Sequence, residues 1–426
     1  MKELDRTGVF GLGPGSIDPI SRLENTHVLF KEPKGPRSVY TTSIGHEQLF
    51  EKHVPPEYLQ PMTSLRVLTK NGADFTVPTG KNYYMVDYQN LVSFWRNSLD
   101  HSGVNYEIIP DSVANEDIVV WEKDGLVSID IEGGRYEFDS VIDATGTDAV
   151  ISRKVEKKRV DENYIAEYVC LGTFKGTAPA GELALFFGPG GGTSWVNQST
   201  EKGPNGEELI DIAFSGWGHK SQFANFKNGE GRQRLEILKD NVKEKDGFSV
   251  YDDHPIDITY GMIRSQRIPE PESDVVFPVG ESAGAAKPVT GESFNRALYS
   301  GELALESIVD GKSPKEYYKD LNKRYKGHDI FLALTQLVME RQIKGETGLL
   351  MDEIQRLFND SKNDQQFVNS MEDFIIKGKM PPRLFLKLLR EPMCRDNLIK
   401  VASRVLTMKI LGLKEEKNPV WAFPDI

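Results

Sequence analysis

Asp274-Val-Val-Phe-Pro-Val-Gly-Glu-Ser-Ala-Gly284 runs on into Ala285-Ala-Lys-Pro-Val-Thr-Gly-Glu-Ser-Phe-Asn-Arg-Ala-Leu-Tyr-Ser-Gly-Glu-Leu-Ala304. An apolar strand ends at Gly280, where backbone can approach a ligand closely, and Glu281 follows at the strand's carboxyl end. A loop containing Ala283, Gly284 and Pro288 leads to Thr290, a good N-cap, and then to a helix with Ala297, Gly301 and Ala304 on one face. Small residues at that spacing let a helix sit tightly on its neighbours. Its start at Thr290, Gly291 and Glu292 offers unpaired N–H groups and a positive dipole end, suited to an anionic ring or a phosphate.

Three further signals point to an α/β half. Thr7-Gly-Val-Phe-Gly-Leu-Gly-Pro-Gly-Ser16 reads as a strand end and a turn of Gly11, Gly13 and Gly15, followed by a short helix and a second strand closing at Glu32. A plain glycine-rich loop is an equal reading, because Ser16 stands where a third glycine would and Pro19 falls early in the helix. Tyr83–Asp87 precedes Leu91, Phe94, Trp95 and Leu99 at helical spacing, which predicts a helix to about Asp100 that stops before Gly103. Ser140-Val-Ile-Asp-Ala-Thr-Gly146 is an apolar strand ending in glycine. Asp117–Trp121 and Leu126–Ile131 flank Glu122-Lys-Asp-Gly125, a hairpin signature. Residues 163–260 read as antiparallel sheet, and from Ser313 onward the pattern is helical, with Pro381-Pro382 as its strongest break.

The 274–304 segment resembles the second FAD-binding motif of the p-hydroxybenzoate-hydroxylase-fold flavoproteins, and within them the geranylgeranyl reductase branch. That resemblance implies an FAD-binding Rossmann-like three-layer α/β domain over 1–62, 86–160 and 262–312. It also implies an antiparallel β substrate domain over 63–85 and 161–261 and a C-terminal helical domain over 313–426. Carried over, Glu281 takes the flavin ribityl chain, and Thr290, Gly291 and Glu292 lie near the flavin ring. Gly11, Gly13 and Gly15 receive the pyrophosphate, and Glu32 accepts from the adenosine ribose. Ser140–Arg153 resembles the family's internal strand, with Asp143, Gly146 and Arg153 as candidate positions; a buried strand with a capping turn is the alternative. Tyr88 stands where the family carries an arginine that touches the cofactor. Trp195, in Gly190-Gly-Gly-Thr-Ser-Trp195, matches a substrate-channel tryptophan, and a core tryptophan of a sheet is the competing reading.

The chain has 426 residues with 52 Lys and Arg against 64 Asp and Glu, a net charge of −12, so a general nucleic-acid surface is not expected. Cys170 and Cys394 are far apart in sequence, which argues against a disulfide scaffold or a thiolate zinc site and for a reducing, cytoplasmic setting. Met1-Lys-Glu-Leu-Asp-Arg6 has no apolar run behind it and does not read as a signal peptide. The seven histidines form no metal-ligand spacing, and no nucleophile elbow occurs. Residues 377–414 invert the charge, with ten Lys and Arg against Glu391 and Asp396. A basic amphipathic helix pair on an anionic membrane surface and an ordinary helical cap are both consistent with that segment.

The resemblance implies FAD-dependent reduction of a carbon–carbon double bond in an isoprenoid, with NAD(P)H or a ferredoxin-like protein as electron donor. A flavin monooxygenase on the same fold is the second expectation. A non-catalytic relative that has lost FAD is the third.

Overall fold

The computed structural model describes residues 6–32, 38–43, 46–69, 74–79, 82–155, 165–187, 193–264, 270–286 and 293–324, with short stretches near the C-terminus at 356–357, 359–361, 363–371, 386–387 and 390. Strands that are apolar without alternation must be covered on both faces. Four of them, Thr7–Phe10, Thr26–Phe30, Ser140–Asp143 and Val276–Pro278, form one parallel sheet with the more polar, largely exposed strand Asn105–Ile108 at its edge. The strand at 7–10 lies between those at 26–30 and 140–143, and the strand at 276–278 closes one edge.

Val9, Val28, Ile142 and Phe277 pack in the core that includes Ile17 and Ile20 of the helix Pro14–Arg22 and Leu298 and Leu305 of the helix Phe294–Val309. Phe10, Leu29, Val141 and Val276 face the other way, onto Val127, Ile129 and Phe138 of a three-stranded antiparallel sheet and onto Ile151 of the helix Val150–Val155. Three layers result. The second sheet's hairpin joins Val119–Lys123 to Leu126–Ile131 through Asp124 and Gly125, whose φ values of 54° and 78° suit the tight turn that matches strand twist.

The middle of the chain builds an eight-stranded, mainly antiparallel sheet around the long strands Ile165–Thr177 and Glu208–His219. It also draws in Ser64–Thr69 and Asp74–Pro78. One expectation is corrected here. Residues 231–243, inside the block read as sheet, are a helix whose Leu235, Leu238 and Val242 make a helical stripe over Cys170 and Phe174. Tyr83–Asp87 joins a small antiparallel sheet with Ser38–Thr42 and Leu59–Pro61. The helix after it runs Tyr88–Ser102; Asp87 caps it by accepting from the Asn90 N–H at 3.3 Å, and Gly103 ends it at φ 73°.

Two C-terminal helices are described, Pro314–Arg324 and Gln365–Met371. Phe367 and Val368 of the second pack against Val77 and Met62 beside the large sheet's edge. Within the basic segment, Lys387 turns inward: its ammonium donates to Ser361 at 2.7 Å and Asp364 at 3.1 Å and stands over the Phe367 ring. Most of the 313–426 helical region and of the basic segment lies outside the described residues. Among the described residues no helix is long and apolar enough to cross a membrane.

Candidate functional site

At the carboxyl edge of the parallel sheet a cavity of about 670 Å³ opens and continues to the large sheet. One end is formed by Lys31, Glu32, Ile109 and Asn115, beyond the strands at 26–30 and 105–108. Its floor is the turn Gly11–Gly15 facing Ala144–Gly146, and its far end is walled by Val169, Leu171, Trp195 and Met262. Ligands of open α/β sheets bind at this edge, where loops leave the strand tips.

Glu281 sits midway along the wall because the strand tip before it is tied on three sides. The Val279 N–H donates to the Asp143 carbonyl at 2.9 Å, and the Gly280 N–H donates to Ser300 Oγ at 2.8 Å from inside the helix Phe294–Val309. The Tyr317 hydroxyl holds the Pro278 carbonyl at 2.7 Å. Gly280 takes φ 57°, and a Cβ there would meet Ala297 Cβ at 3.1 Å, so a side chain would be both strained and crowded. The Glu281 carboxylate accepts from Thr147 Oγ1 at 2.6 Å and Ser293 Oγ at 3.1 Å. Burial raises its carboxyl above the ordinary carboxylate range, and the two hydroxyls offset part of that rise. Thr147 also reaches the Met262 carbonyl at 2.9 Å, which joins the parallel-sheet turn to the large sheet beside the acid.

The glycines of the first turn answer different needs. Gly11 has φ 101°, and an added Cβ would lie 2.2 Å from the Ala144 carbonyl oxygen, so only glycine lets the two strand ends come together. Gly15 is closed in by Val279, where a Cβ would come within 2.9 Å. Gly13 faces open space, with the Tyr88 hydroxyl 3.7 Å from the Cβ position. Ser16, in the third-glycine place, turns its hydroxyl back onto the Gly13 N–H and carbonyl, both at 3.0 Å, and so caps the helix start.

Among the residues singled out from sequence, Gly11, Gly13, Gly15, Glu32, Gly146, Gly280, Glu281 and Trp195 line the cavity. Glu32 is half-exposed and paired with Arg96 at 3.2 Å. Asp143 is buried behind the wall. Its carboxylate accepts from Thr145 Oγ1 at 2.6 Å and from the N–H and hydroxyl of Ser152 at 2.8 and 2.6 Å, so it caps the helix Val150–Val155 and does not line the cavity. Arg153 is directed at the Thr147 carbonyl, 3.4 Å away. Ala283 and Gly284 complete the turn after Glu281 outside the lining, Gly284 at φ 66°. Pro288, Thr290, Gly291 and Glu292 lie outside the described residues. The helix expected to open at Thr290 begins instead at Phe294, with Ser293 before it; the Ser293 hydroxyl makes no capping bond and donates to Glu281.

Sequence reading missed Thr147, Ser293, Tyr40 and Met262 at the site. Thr147 is 134 positions from Glu281 and carries no local signal. Tyr40 meets Trp195 edge-on, centroids 6.0 Å apart, and only the pairing of distant strands brings them together.

This layering, with a cavity across the sheet edge, is shared with solved flavin-dependent proteins. The chain superposes on a geranylgeranyl bacteriochlorophyll reductase-like protein from Thermoplasma acidophilum with a TM-score of 0.63 at 13% identity, over 95% of this chain and 98% of that one. The flavin-dependent brominase Bmp2 gives 0.56 at 15% identity, over 86% and 98% of the two chains. A flavoprotein/dehydrogenase from Cytophaga hutchinsonii gives 0.54 at 15%, over 96% and 99%. At such identities the likeness is one of fold. No family model matches the sequence, and no curated protein matches it either.

Proposed function

We propose that the protein is an FAD-dependent oxidoreductase. The dinucleotide would be held by 1–62, 86–160 and 262–312, with the substrate against 63–85 and 161–261. The observation that carries this reading is the unbroken cavity from Glu32 to Trp195, with the buried carboxylate of Glu281 on its wall. A pocket of this size lies within the range of ligand sites. Glu32 would take the adenosine ribose, and the Gly11–Gly15 turn, backed by the helix Pro14–Arg22, would take the pyrophosphate. Glu281 would accept from the ribityl hydroxyls, oriented for that task by Thr147 and Ser293.

Bound flavin supplies two-electron transfer; the protein's share is position, dryness and charge. Val169, Leu171, Ile263 and Met262 give the far end an apolar wall that would exclude water and suit a hydrocarbon chain such as an isoprenoid. Tyr40, Tyr260 and Trp195 at the same end favour a second reading, a monooxygenase acting on an aromatic substrate. An anaerobic turnover separates the two. The FAD-loaded protein, chemically reduced, is mixed with a geranylgeranyl lipid without oxygen, and the return of oxidised-flavin absorbance is followed. The first reading expects reoxidation with one double bond saturated per flavin. No reoxidation by the lipid, and reoxidation only after oxygen and an aromatic substrate are admitted, with one oxygen atom found in that substrate, would instead establish the second.

A further inference from the structure

Tyr88 opens the helix Tyr88–Ser102, and its side chain extends into the cavity beside Gly13, Glu281 and Phe294. The ring is held edge-on against Phe294, centroids 6.2 Å apart. Its hydroxyl stands over the glycine turn, 3.7 Å from the Gly13 Cβ position, and among the described residues no group hydrogen-bonds to it. The neighbouring carboxylate already receives hydroxyls from Thr147 and Ser293. Lys31 is the one cation among the described lining residues, and its ammonium is tied to the Val113 carbonyl at the Glu32 end. The Gly11 and Gly13 N–H groups already donate to the Leu29 carbonyl and Ser16 Oγ, so an anion resting on the turn meets the Tyr88 hydroxyl as its neutral side-chain donor.

We infer that the Tyr88 hydroxyl is a positioning donor for a phosphate oxygen of a dinucleotide lying on the Gly11–Gly15 turn, an inference that rests on the FAD-binding reading above. Burial first, and then the charge of Glu281, pushes the phenol above its usual range, so it keeps its proton at neutral pH. A hydrogen bond from a neutral donor to a charged oxygen is among the stronger ones in proteins.

The test titrates the full chain, wild type and Tyr88→Phe, with FAD by flavin fluorescence and with ADP by competition. Phenylalanine keeps the ring and its contact with Phe294, so the melting midpoint without ligand stays unchanged. Affinity for both FAD and ADP falls about tenfold. Equal FAD affinity in the two proteins overturns the inference alone. So does a loss confined to FAD that spares ADP, which would assign the hydroxyl to the flavin half, and so does a lowered midpoint, which would make it a support of the empty fold. If wild type takes up no FAD, the underlying reading falls and this inference with it.

Discussion

Glu281 carries opposite consequences for stability and for binding. Its carboxyl is raised above the ordinary range because burial penalises the charged form, so the folded protein binds a proton more readily there than the unfolded chain does. Stability from this group is therefore present at low pH and lost as pH rises through its folded value. Glu281→Gln should melt higher than wild type at pH 7 without ligand, and the gap should close as pH falls toward the ordinary value of 4.5. A midpoint below wild type at pH 7 would contradict this. The same variant should bind FAD about tenfold more weakly, the cost of replacing a charged acceptor by a neutral one. Asp18, on the helix behind the glycine turn, shows the reverse case. Burial pushes its carboxyl up, but hydrogen bonds from His53 at 2.8 Å and Lys52 at 2.6 Å more than offset this and bring it to about 2. Its contribution is present above the ordinary value of 3.8 and fades as pH falls toward 2. Asp18→Asn should cost about 3 kcal/mol at pH 7 by denaturant titration, and progressively less in acid. Glu281 is legible in sequence because it directly follows a strand-ending glycine. Asp18 and Thr147 are not, since their roles depend on partners from other elements.

The two helices that flank the site are fitted by the absence of atoms. Pro19 has no N–H for the Gly15 carbonyl four residues earlier, and that carbonyl points at Gly301, where an added Cβ would lie 2.2 Å away. The proline that looks like a defect in the helix is thus matched by a glycine on the facing one, and the pair permits close approach of helix to helix. Gly301→Ala must push the helices apart. We expect a loss of about 2 kcal/mol in a urea titration, together with weaker FAD binding, because the glycine turn rides on the displaced helix. A fully stable Gly301→Ala protein would contradict this close packing. The small-residue stripe of Ala297, Gly301 and Ala304 was visible in the sequence because its spacing is helical. The true start of that helix was not, because Thr290 is as good a cap by composition as Ser293. The helix at 231–243 was hidden by the strand-like runs on either side of it, although its three buried leucine and valine positions fall at helical intervals.

At the scale of the molecule, the cavity exists because the parallel sheet and the large sheet share it, the first with its strand tips and the second with one face. The parallel half announces itself through local motifs, whereas the face of the large sheet that meets the cavity is set by pairing between distant strands. Trp195 lies on that face in line with Ala213 and Leu171 of neighbouring strands. Trp195→Ala should leave FAD affinity within about twofold while raising substrate KM or abolishing turnover, because its indole bounds the end opposite Glu32. A fall in FAD affinity with substrate KM unchanged at saturating FAD would reverse that assignment. The central claim, that this shared cavity holds an extended flavin dinucleotide, is tested most directly by titrating the full chain with FAD and following flavin fluorescence. Saturable quenching at one FAD per chain is the predicted result; emission indistinguishable from free FAD at every protein concentration would contradict it.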